Sequence, residues 1–147
     1  MAEAKSFKNI IGELKLIYPS AVVRGESILH SSGWITQIPQ RINIAVLERG
    51  TYVDISGFVL SPKNKHWYEK AHGYLLTPEN NDAISTYGLP GLPPALALAD
   101  LYNKNIIADW QPDPDDLDIE DWLEVKNAFA FFNIDIPEKY RGSMHLN

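Results

Sequence analysis

Eight carboxylates stand between Lys104 and Lys126 with no base among them: Asp109, Asp113, Asp115, Asp116, Asp118, Glu120, Asp121 and Glu124. Acids so crowded repel one another, so they must be solvated, hold a cation or meet a positive partner. A calcium loop is the most specific of these chemistries. Asp113, Asp115 and Glu124 occupy the first, third and twelfth places of a twelve-residue EF-hand pattern. Leu117 stands fifth, where an oxygen ligand is needed, and Asp118 sixth, where the sharp turn needs glycine. The pattern fails, and neither a metal nor a cofactor is expected.

The remaining chemistry is complementarity. Carboxylates in a first helical turn are stabilising by about 0.3–1 kcal/mol each, which explains two or three of the acids and leaves the others without a structural reason. Trp110 and Trp122 border the run. An aromatic beside carboxylates is the composition of a binding hot spot, and equally that of a helix whose Trp points into the core. The expected partner-binding set is therefore Asp113, Asp115, Asp116, Asp118, Glu120, Asp121 and Glu124, with Trp110 and Trp122 as anchors. The expected partner is a basic protein, for example a nucleic-acid-handling enzyme whose phosphate site the carboxylates would occupy. That describes a non-enzymatic inhibitor or immunity-type protein.

Catalytic patterns are weak by comparison. His66 and His72 are six residues apart. On a helix they diverge by about 120°, and on a strand they sit about 20 Å apart, so neither geometry makes a two-ligand site. No glycine cluster precedes a helix and a lysine, and there is no Gly-x-Ser-x-Gly elbow. The chain has four histidines and nine serines, and nothing in their spacing suggests a triad. Two alternatives stand beside the binding reading. One is a small enzyme or ligand-binding domain with a pocket between an aromatic sheet (Trp34, Tyr52, Trp67, Tyr74) and the 77–94 loop. The other is a structural subunit that self-associates through an apolar C-terminal helix.

The totals fit a globular binder. The chain has 147 residues, 45% of them hydrophobic, and sixteen aromatics, which supports one domain with a real core. No apolar run approaches the length of a membrane span. Charges scattered through the first twenty residues leave no signal-peptide core. Cysteine is absent, which removes disulfides and thiolate metal sites and fits a reducing, cytoplasmic setting. The isoelectric point near 5.1 argues against direct nucleic-acid binding. Charge is also uneven along the chain: residues 1–75 carry nine Lys/Arg against six Asp/Glu, and residues 76–147 carry four against thirteen.

The elements that would position these residues follow from periodicity. Phe7, Ile10, Ile11, Leu14, Ile17 and Tyr18 share one helical face, with Ser6 as N-cap and Pro19 as the stop. Residues 21–60 read as an antiparallel meander of three to five strands. Val22-Val23 and Ile28-Leu29 flank an Arg24-Gly25-Glu26 turn, and Trp34–Ile38, Ile42–Leu47 and Tyr52–Leu60 follow. Breakers fill Thr77–Pro94 and predict a long loop. Pro93 or Pro94 opens an apolar helix over Ala95–Tyr102. A last helix starts near Asp115 or Asp116 and runs to about Phe132, with Ile119, Trp122 and Leu123 on one stripe and Asn133 as its stop. The segment from about residue 137 looks loosely attached, except through Tyr140. Helix, then strands, then helices is an α+β order, expected as a single domain over 1–147.

Overall fold

The computed structural model describes residues 6–102, Pro112 and residues 117–141. Its contacts gather into two compact units, each built from two stretches of chain. One comprises Met1–Arg24 with Gln40–Leu92, the other Gly25–Pro39 with Pro93–Asn147. The architecture is α+β.

In the first unit, helix α1 (Phe7–Ile17) begins where the Asn9 amide donates to the Ser6 side chain at 3.2 Å, and it buries Ile11 and Leu14. The sheet has three strands, β1 (Val22–Val23), β2 (Ile42–Leu47) and β3 (Phe58–Lys63), in the order β1-β2-β3. The β1–β2 pair is antiparallel, with Val22 opposite Ala45. The β2–β3 pair is parallel, in register from Ile42–Phe58 to Leu47–Lys63. The expected all-antiparallel meander is thus corrected to a mixed sheet. A parallel pair requires the chain to travel back along the strand it has just left. Six residues of strand are about 20 Å long, and the ten residues 48–57 reach that far when extended. This return path occupies Tyr52–Ile55, which is therefore not a strand.

The return is held by Tyr18, at the C-terminal end of α1. Its hydroxyl donates to the Val53 carbonyl at 2.9 Å and accepts from the Val53 amide at 2.7 Å. Arg49 secures the same corner. Its guanidinium donates to the Ile17 carbonyl at 3.1 Å and lies 5.3 Å from the centre of the Tyr18 ring. On the far side of β1, the Val23 amide donates to Pro90 and the Leu92 amide to Val23, while Leu76 and Gly91 exchange amide bonds. The 77–94 segment is therefore less irregular than its breakers suggest. Its end lies along the sheet, and it contains a short helix α4 (Asp82–Ser85) capped by Asn81. The edge strand β3 carries Pro62 and Lys63, residue types that discourage strand addition. Helix α3 (Lys65–Ala71) starts at Asn64, whose side chain accepts from the Trp67 amide, and it buries Trp67.

The second unit opens on Gly25, whose φ of 62° lies in the left-handed region that glycine tolerates. Helix α2 (Gly25–Ser31) follows and buries Ile28 and Leu29, the residues expected in a strand. It ends at Gly33, φ 79°, with Trp34 N–H donating to Leu29 and Gly33 N–H to His30. This is the paired closure of a Schellman motif, and it puts the buried Trp34 where that motif places its hydrophobic contact. Trp34–Ile38 is accordingly not a strand. Helix α5 (Pro94–Tyr102) buries every residue from Ala95 to Leu101 and packs against α2 and against α6 (Ile119–Phe131). A last short helix, α7 (Glu138–Arg141), holds Tyr140 at 0% exposure. Among the described residues, no helix is long and apolar enough to cross a membrane.

Candidate functional site

Helix α6 carries the described part of the acidic run, and its first turn divides those acids into two kinds. Asp118 is the N-cap: its side chain accepts from the Asp121 amide at 2.9 Å, and the Asp121 carboxylate accepts from the Asp118 amide at 3.3 Å. This reciprocal capping box satisfies two amides that a helix start leaves unpaired. Asp118 and Asp121 are therefore explained by the helix itself. Glu120, also in the first turn, is favoured by the helix dipole, whereas Glu124 lies a turn further on and gains nothing from it. Both are exposed, one turn apart on the same side. Like charges at that spacing are destabilising by a few tenths of a kcal/mol.

The stripe expected from Ile119, Trp122 and Leu123 is split by the fold. Trp122 is 3% exposed and packs its ring 5.2 Å from that of Tyr140, whose hydroxyl donates to the Pro112 carbonyl at 3.1 Å. Val125, Ala128 and Phe129 continue this inner face, and Phe129 meets Tyr102 at 5.6 Å. Burial raises the Tyr102 pKa, an effect partly offset by a hydrogen bond with the Tyr140 side chain. Trp122 is thus an anchor of the core and not of the surface. Ile119 and Leu123 lie outside, 62% and 47% exposed. At i and i+4 they form an apolar row beside the acidic row of Glu120 and Glu124. Sequence periodicity alone misses this because Trp122 and Leu123 are adjacent, and only one of them can face in.

Asp113, Asp115, Asp116 and Trp110 lie outside the described residues. Among the described residues, no group of three His, Cys, Asp or Glu is placed to hold a metal ion.

The aromatic wall of the expected ligand pocket is not a sheet. Trp34 follows α2, Tyr52 lies in the 48–57 return, Trp67 sits in α3, and Tyr74 closes a 3-10 turn over His72–Tyr74. Trp34 and Trp67 are buried. The 77–94 segment does border a groove, but in the first unit and against α1. Residues 85–88 form one side, and Phe7, Ile11 and Gly12 lie on the other.

No protein-family model matches the sequence, and no curated protein matches it. Among solved structures, the chain is similar in fold to the crystal structure of the RV2827C protein from Mycobacterium tuberculosis, with a TM-score of 0.50 and 15% sequence identity. The match covers 98% of this chain and 59% of that one, so this chain spans about three-fifths of its length. At that identity the likeness concerns the fold alone.

Proposed function

We propose that this protein is a non-enzymatic binding module of the inhibitor or immunity type, which masks a basic site on a partner protein. The observation that carries the reading is the outer face of α6, where exposed Glu120 and Glu124 run beside exposed Ile119 and Leu123. Little of this supports the helix: the dipole favours Glu120 alone, the two glutamates repel each other, and the aliphatic side chains remain in water. Features that cost stability locally and are not compensated locally are the ones a partner would explain. The acidic row supplies the long-range attraction and the apolar row the desolvated contact. Asp113, Asp115 and Asp116 add to the field, and the partner is a basic protein such as a nucleic-acid-handling enzyme.

The experiment is retention of proteins from the source cell's lysate on the immobilised chain, with a Glu120→Lys/Glu124→Lys variant in parallel. The reading expects a basic protein held at low salt, released at high salt and absent from the variant. An identical retained set on both proteins, or none, contradicts it. Asp118 and Asp121 stay unchanged, because altering the capping box would confuse lost binding with a frayed helix.

A further inference from the structure

The groove along α1 is open to solvent and has a volume of about 420 Å³, within the usual size range of small-molecule sites. Phe7, Ile11 and Tyr87 give it apolar walls, and Lys8 and Lys15 line it as well. The two lysines are seven residues apart. At 100° and 1.5 Å per residue they project within about 20° of each other, roughly 10 Å apart along the helix. Both are exposed, and neither has an ion-pair partner among the described residues.

Gly12 lies between them, and the fold gives no reason for it. A glycine inside a helix is destabilising by roughly 1 kcal/mol relative to alanine. Its backbone is not in the left-handed region, and a Cβ placed there would meet nothing within 4 Å. Gly88, on the opposite side of the groove, differs: its φ of 67° requires glycine, and its Cβ position lies 3.6 Å from Ile11. What Gly12 does provide is open space in the middle of the groove. Any side chain there would project into it.

We propose that this groove binds a small amphipathic organic anion. Its apolar body rests on Phe7, Ile11 and Tyr87 across the space left by Gly12, and its carboxylate or similar group is met by Lys8 or Lys15. An acidic peptide fits less well. None of the residues lining the groove belongs to a strand, so an extended backbone would find no strand edge to pair with. The proposal does not depend on α6, which lies in the other unit.

The test is a titration with anilinonaphthalene sulfonate, an aryl anion of this class, followed by amide shifts in a nitrogen-15 correlation spectrum. Saturable shifts are expected at Gly12, Thr86 and Gly88, and not on α6. Gly12→Leu should abolish them while melting at or above the parent temperature. Gly12→Ala, the smaller change, should weaken binding without loss of fold. Lys8→Gln/Lys15→Gln should weaken it by about tenfold. Shifts that do not saturate or that fall elsewhere, unchanged binding by Gly12→Leu, or indifference to the lysine changes would overturn the proposal. So would saturation of the same amides by a polyglutamate peptide but not by the aryl sulfonate, which would point to an acidic protein instead.

Discussion

At the scale of single residues, the acids of α6 are not equivalent, and this can be measured without a partner. Asp118→Ala removes the cap and should cost about 1 kcal/mol of stability, read as a lower denaturation midpoint. Glu120→Gln/Glu124→Gln removes a repulsion together with the dipole contribution of Glu120, so the two effects oppose and stability should change by no more than about 0.5 kcal/mol. Equal losses in the two variants would mean that all these acids are structural. The same logic applies to Gly12→Ala, which should stabilise by up to about 1 kcal/mol, or about 2–4 °C in the melting temperature. A lower melting temperature would show a structural need for glycine at this position. Tyr68 makes a different prediction. Burial pushes its hydroxyl up to about 12, offset only in part by the nearby Ser20 side chain. The buried oxygen has no hydrogen-bond partner of good geometry. With a folded pKa above the unfolded value of 10, its contribution is intact below pH 10 and is lost as pH rises toward 12. Tyr68→Phe should therefore reduce alkaline unfolding in that window, as followed by circular dichroism, and should be neutral or stabilising at pH 7. An unchanged alkaline transition would contradict this.

At the scale of elements, the helices were more legible in the sequence than the sheet. Ser6, Pro94 and Asn133 signal boundaries through local chemistry, and the structure uses each of them: Ser6 as a cap, Pro94 as a first residue, and Asn133 at φ 57° as a left-handed stop. Strand pairing is not local. The parallel β2–β3 pair depends on the path of residues 48–57, and that path depends on Tyr18, more than thirty residues away. Gly25 satisfies a hairpin turn or a helix start equally well, and only the burial of Ile28 and Leu29 on α5's side of the second unit decides between them. The candidate face was half legible: its charge is visible in composition, but which of Trp122 and Leu123 faces outward is set by Tyr140 and Phe129 packing beneath the helix. Tyr18→Phe tests the account of the sheet. Loss of both bonds to Val53 should cost about 1–3 kcal/mol and speed hydrogen exchange at the Val53 amide. Unchanged exchange there would mean that the return path is held by something else.

For the molecule as a whole, the charge asymmetry between the two halves of the chain persists between the folded units. The first unit has nine Lys/Arg and seven Asp/Glu, a net of +2, and the second has four and twelve, a net of −8. Glu26 joins the acidic unit through α2, while Glu79 and Asp82 belong to the basic one. A field of one sign gathered on one unit steers association and weakens with salt. The measurement that tests this most directly is the association rate of the chain with the basic protein it retains, for the parent and for Glu120→Lys/Glu124→Lys, at low ionic strength. The account predicts that the variant associates at least about tenfold more slowly, and that the difference shrinks as salt is added. Equal association rates at low salt would contradict it.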